Sequence, residues 1–215
     1  MISSLIVSRG RLTRRVMLAT AVVAWLCPRT SRADVVGEAK SFIREMGERA
    51  ITILNANGRD PAARRAEMAA LLDEAVDVEL IARLALGRHW RTTSEPQRNE
   101  YVDHFRAYLL SGLSAQLGGA GGERFVVKGS HLAREEDSVV GTQVFLAPDQ
   151  PPVDVDWRVR HEGNQYKIVD VIAQGVSLVV TNRAEFDAII ARRGLDGLLE
   201  QMRRWRDEAA TASPA

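Results

Sequence analysis

The groups that could do chemistry in this chain are few. Asp103 and His104 set an acid beside a base not far from a second histidine, His89; Asp154 and Asp156 are carboxylates two residues apart; Asp170 stands alone in the apolar run KIVDVIA. An adjacent acid and base suit proton transfer, and paired carboxylates suit general acid and base work. Regular structure weakens both readings. Neighbouring residues on a helix point about 100° apart, so Asp103 and His104 do not face one cavity together. Asp154 and Asp156 do share a strand face, but Arg158 and Arg160 continue it and make a salt-laced surface the simpler account. Asp170 reads either as a capped or paired structural acid or as a group that orients something in a cavity. The histidines at 89, 104, 131 and 161 are too scattered for a recognisable metal-ligand set. Dinucleotide, phosphate-loop, zinc-hydrolase and nucleophile-elbow motifs are absent.

The positions of these groups follow from the elements around them. In LGRHWRTTSEPQ, Leu86 to Gln97, Gly87 ends one helix at a position that tolerates positive φ, and Arg88 and His89 are cations near its C-terminus. Ser94, Pro96 and Gln97 then open the next helix with a Ser-x-x-Gln capping box. The stretch is therefore a corner between two helices, with Trp90 as the apolar anchor beneath it.

Upstream, apolar residues from Val35 to Leu54 recur at helical spacing. Asp60 with Pro61 starts a second helix, and Asp77 caps a third that ends near Leu86. The fourth helix runs from Ser94 to about Leu117 and ends at GGAGG, Gly118 to Gly122, read as a flexible link. The period then becomes twofold. Strands are expected at 124–131, 137–146, 153–161 and 165–173, the last two joined by a tight hairpin at Glu162 to Asn164. A short apolar connector precedes two closing helices separated by Gly194. The expected fold is α+β, with helices packed on one face of a twisted antiparallel sheet of about four strands.

The first thirty-three residues hold six arginines and no acid. With them removed, six of the 29 Lys and Arg go while all 28 Asp and Glu remain, a net charge of −5. A mildly acidic body argues against a nucleic-acid partner. The basic SRGRLTRR, the apolar run of twelve from Val16 to Cys27 and the small residue Ala33 read as an export signal cleaved before Asp34. Twelve helical residues reach roughly 18 Å, short of a ~30 Å hydrocarbon core. Arg14 and Arg15 leave both the general secretory and the twin-arginine routes open. Residues 1–33 are thus expected to be a signal peptide, 34–210 one domain and 211–215 a disordered tail. Cys27 is the single cysteine and precedes the cut, so the mature chain has no disulfide, thiol nucleophile or thiolate metal site.

Val, Ile and Leu dominate the expected interior, so a cavity there would be aliphatic and would suit acyl chains. Composition alone favours a filled core, because interiors pack without large voids. Three segments add to this reading. DVELIARLALGRHWRTTSEPQRNEYVDHFRAYL (Asp77 to Leu109), YKIVDVIAQGVSLV (Tyr166 to Val179) and NRAEF with the following GLDGLLEQM resemble, in order, the MlaC family of periplasmic auxiliary proteins of phospholipid ABC transport. That family is also called toluene-tolerance proteins and includes the hopanoid-associated HpnM branch. Tyr166 departs from the tryptophan frequent in the family, and Gly112 lies where an aromatic is common.

The resemblance implies a non-enzymatic periplasmic carrier without cofactor. It would enclose phospholipid or hopanoid chains in an internal cavity and pass the lipid between an outer-membrane lipoprotein complex and an inner-membrane ABC transporter with an MlaD-like subunit. The residues expected to touch the chains are Ile81, Leu84, Phe105, Leu109, Val155, Trp157, Val169, Val171, Val176 and Leu178. Sheet-face assignment is open by one residue. Two other readings stay open: an enzyme acting on a lipid or isoprenoid with Asp170 or His104 as base, and a ligand-free scaffold with a solid core.

Overall fold

The computed structural model describes residues 32–56, 60–117, 124–134, 136–146, 150–163 and 165–211. The proposed export signal up to residue 31 and the Gly118 to Gly122 link lie outside the described residues.

Side-chain caps set the first helices. After α1, Arg32–Leu54, the Asp60 carboxylate accepts from the Ala62 N–H at 3.1 Å and Pro61 opens α2, Pro61–Ala75. Asp77 accepts from the Leu80 N–H at 2.9 Å and opens α3, Val78–Leu86. Gly87, at φ 59°, ends α3 and begins a 3₁₀ turn, Gly87–Arg91. At Ser94 the expected capping box takes a different form. The Ser94 hydroxyl donates to Gln97 Oε1 at 2.8 Å, and the same oxygen accepts from the Ser94 N–H at 3.4 Å, ahead of α4, Glu95–Leu117.

Five strands follow in one antiparallel meander, in the order β1-β2-β3-β4-β5. They are β1 Arg124–Leu132, β2 Asp137–Phe145, β3 Val153–Glu162, β4 Gln165–Ala173 and β5 Val176–Ser177. β5 was expected to be only a connector. Gln174 (φ 50°) and Gly175 (φ 81°) make consecutive positive-φ positions, the twist that matches a two-residue hairpin, and fold Val176 back onto Ala173. Helix α5, Leu178–Thr211, is broken at Gly194 (φ 70°, ψ 179°), where the two closing helices were expected to part.

Two bulges set which residues share a sheet face. Lys128 is the extra residue of β1, between Val127 opposite Thr142 and Gly129 opposite Gly141. Val169 is the extra residue of β4, because Arg158 pairs with Asp170 while the next residue, Val159, pairs with Ile168.

The apolar interior is divided in two. α1 and α2 cover the sheet: Ala39, Ile43, Met46, Met68, Leu71 and Ala75 pack with Val140, Val159 and Ile168. Helices α3, α4 and α5 make the second core around Ile81, Leu86, Tyr101, Phe105, Phe186, Leu198 and Met202. Val76 packs against both. It stands between α2 and α3 in a parallel bridge to Ile168, and the next amide, Asp77 N–H, donates to the Ile168 carbonyl at 3.0 Å.

The seam between α1 and β1 depends on a missing side chain. A Cβ at Gly47 would lie 2.5 Å from the Phe125 ring. Exchanging glycine for alanine inside a helix normally stabilises it by about 0.5–1 kcal/mol. Here the sign is expected to reverse: Gly47→Ala should cost ~1–3 kcal/mol in chemical denaturation, the range for an overpacked contact. In a Phe125→Ala background the ordinary helical gain should reappear, and equal effects in both backgrounds would show that the seam is not tight.

Candidate functional site

The side chains that could do acid–base chemistry are held apart, and His89, Asp154 and Asp170 are engaged in hydrogen bonds. His89 Nε2 lies 2.7 Å from Asp187 Oδ1, and Arg88 donates to the same oxygen at 2.6 Å. The hydrogen bond from His89, then the charge of Arg88, holds the Asp187 carboxyl below its usual range. This cluster fastens the corner to α5. The Arg183 guanidinium acts alongside it, donating from Nε to the Leu84 carbonyl at 2.9 Å. His104 is buried, with Nε2 at 3.5 Å from Glu100, whereas Asp103 is exposed on the rim of an open hollow. Asp154 and Asp156 are exposed, and Asp154 accepts from the Gln143 side chain at 3.0 Å.

Asp170 is a cap. Its Oδ1 accepts from the backbone N–H of Val171 at 2.9 Å and of Val179 at 3.2 Å, and Oδ2 accepts from the Ser177 hydroxyl at 2.7 Å. The Ser177 oxygen in turn accepts from the Val180 N–H at 3.2 Å. The Gly-Val-Ser turn and the buried acid thus satisfy the first turn of α5, the structural alternative of the two readings open for Asp170. Among the described residues no group of three or more His, Cys, Asp and Glu could hold a metal ion.

The ten residues expected to touch acyl chains fall into three settings. Ile81 and Phe105 are buried in the helical core, with Leu84 and Leu109 packed against it. Val155 is buried on the sheet, and Trp157 and Val171, paired across β3 and β4, pack against the core under α1 and α2. Trp157 donates from its indole N–H to the Thr142 hydroxyl at 2.9 Å, and that hydroxyl donates to the Val155 carbonyl at 2.9 Å. Val169 is buried at the bulge, out of the row that Ile168 completes, so sequence alternation was one residue out at this point. Val176 is 60% exposed, because the Gln174-Gly175 hairpin turns it to the surface, and Leu178 is half-buried.

Two hollows among the described residues are open and partly polar. One, of about 290 Å³, is lined by Val76, Val78, Arg160 and Lys167 among others; the second, of about 430 Å³, lies beside Trp90, Arg98 and Asp103. Neither hollow is lined by any of the ten residues.

Every tyrosine of the chain is shielded: Tyr101, Tyr108 and Tyr166 all have phenols pushed up from 10.0, chiefly by burial. Tyr101 donates to the Ala82 carbonyl at 3.0 Å and Tyr166 donates to Glu38. An unfolded chain ionises its phenols near pH 10 while the folded one keeps them protonated, so this contribution to stability is complete below that pH and is lost as pH rises further. Ultraviolet titration at 25 °C is expected to place the tyrosinate rise of the folded protein above the pH 10 of free phenols. A full three-phenol step at that pH in the folded protein would contradict the burial.

The profile of the family described as MlaC protein matches residues 44–204, from the middle of α1 to the last turns of α5. The chain belongs to the MlaC family. Among solved structures, a phospholipid-binding protein from Ralstonia solanacearum in complex with a phospholipid is similar to it, with a TM-score of 0.69 and 22% identity over 80% of this chain and 98% of that one. At that identity the likeness is one of fold. It places the helices and five-stranded sheet of this MlaC protein in an architecture already seen. No described helix of this family member is long and apolar enough to cross a membrane.

Buried Asn182 was not singled out from the sequence. Its spacing from Val179, Phe186 and Ile189 puts it on the buried face of α5, a signal present in the periodicity but not used.

Proposed function

We propose that this protein binds a phospholipid by its acyl chains and carries it through the periplasm between outer- and inner-membrane transport complexes. The observation that carries the reading is the MlaC family match over residues 44–204; the fold likeness to a protein solved with a phospholipid supports it. Two apolar cores joined through Val76 give the chain a place to separate without exposing either core entirely. Enclosing a chain spares it roughly 0.8 kcal/mol per CH₂ of exposure to water, which is what a lipid crossing an aqueous space needs. In this proposal the amino-terminal export signal is cleaved before Asp34, and the contact residues are the buried and half-buried members of the set above. The engagement of Asp170 as a cap supports a carrier over an enzyme.

Native mass spectrometry with lipid extraction tests the proposal on the chain purified from a bacterial periplasm without detergent. A bound diacyl lipid at one per protein is expected, and a hopanoid in its place would change the cargo class. A protein that arrives empty and takes up no lipid from phosphatidylethanolamine and phosphatidylglycerol vesicles would overturn the carrier reading.

A further inference from the structure

Asn182 is 1% exposed, and its amide nitrogen has no hydrogen-bond partner. Its oxygen is used, accepting from the Tyr108 hydroxyl at 3.3 Å. The surroundings are apolar and aromatic: Phe186 lies one turn further along α5, and the Tyr108 ring meets Phe105, Phe186 and Trp205 at centroid distances of 6.1, 6.5 and 5.5 Å. The nearby Ser111 hydroxyl is committed to the Tyr108 carbonyl at 2.8 Å. An amide buried without partners is costly, and a leucine, branched in the same way, would not carry that cost.

The other buried atoms without partners are chemically less informative. Ser138 Oγ can donate or accept, and His104 Nε2 has Glu100 at 3.5 Å. For Arg64 and Arg158 the buried atom without a partner is Nε. The nitrogen of a side-chain amide can only donate, so what completes Asn182 must be an acceptor oxygen. In an interior that takes acyl chains, the acceptor that travels with the chains is the ester carbonyl. The glycerol ester lies where chain meets head group, and Tyr108, half-buried within reach of the charge of exposed Glu185, lies between core and surface in the same way.

We infer that Asn182, steadied by Tyr108, is the donor that hydrogen-bonds an ester carbonyl of the bound lipid, and so favours acyl-ester lipids over guests without that oxygen. This rests on the carrier reading. The test is competition, by native mass spectrometry, between a diacyl-ester phosphatidylcholine and its dialkyl-ether analogue, which keeps the chains and head group but lacks both carbonyls. The delipidated protein is expected to prefer the ester by about fivefold to tenfold, the weight of one hydrogen bond. Asn182→Leu should bind both at the ether level while melting no lower than the parent. The ester carbonyl infrared band of bound lipid should shift to lower frequency in the parent and not in the variant. Equal binding of ester and ether by the parent would overturn the inference and leave the carrier reading standing. Failure to bind either lipid would defeat the carrier reading, and this inference with it. Because the ester-to-ether comparison is made on the parent protein, it holds even if Asn182→Leu does not fold.

Discussion

Phe186→Ala is expected to lose about 3–5 kcal/mol of stability, the range for removing a fully buried aromatic ring. Phe186 is 0% exposed and stands at the centre of the helical core, edge-on to Tyr101 at 6.2 Å and to Phe105 at 6.1 Å, with Tyr108 at 6.5 Å. Each such ring pair adds about 0.5–1.5 kcal/mol beyond the area it buries. These three partners all come from α4, so the ring joins α4 to α5, and its loss leaves a void with walls on two helices. For a domain of this size each kcal/mol is worth about 2–4 °C, so the melting temperature should fall by roughly 6–20 °C. A loss under about 1 kcal/mol would mean that the neighbouring rings collapse into the space, and that this core is more pliable than its packing implies.

Asp170→Ala should cost about 3 kcal/mol, because it strips three hydrogen bonds to a charged acceptor from a buried site and leaves the Val179 N–H unpaired at a helix start. Asp170→Asn keeps the shape and one acceptor oxygen, and the Ser177 hydroxyl can turn to accept from the new amide. A cost of about 1–2 kcal/mol is expected for it. Lipid bound per folded molecule should be unchanged in both variants. If Asp170→Asn kept full stability while losing lipid or a lipid-modifying activity, Asp170 would belong to a reaction and the cap would be incidental. Denaturant unfolding paired with lipid quantification on the same samples decides between them.

Local chemistry made much of the fold legible. Asp60, Asp77, Gly87 and Gly194 mark helix boundaries through groups within a few residues, and the four long strands announce themselves by alternation and by turn residues. Three things were not legible, each because it depends on a partner distant in sequence. The bulge at Val169 exists because β3 fixes the register of β4, so alternation read along β4 alone assigns the wrong neighbour to the inner row. The two-residue β5 is too short to show a period and forms because Gln174 and Gly175 accept positive φ. The split into two cores is invisible to hydropathy, since Leu109 and Leu110 are equally apolar and adjacent, yet they pack against different cores. Among the candidate contacts, Ile81, Phe105, Val155 and Val169 are buried, whereas Val176 was placed inside because nothing around it in sequence says otherwise.

The Lys128 bulge has a consequence for how copies of this protein behave together. β1 is a nine-residue edge of the sheet, and a straight edge of that length offers a row of unpaired amides and carbonyls on which another chain can grow as an additional strand. Half-exposed Val126 would favour such growth. With Lys128 displaced from the ladder, carrying its charge, and Gly129 beside it, an incoming strand loses register halfway along. The irregularity at Lys128 therefore also works against growth of a further strand on this edge.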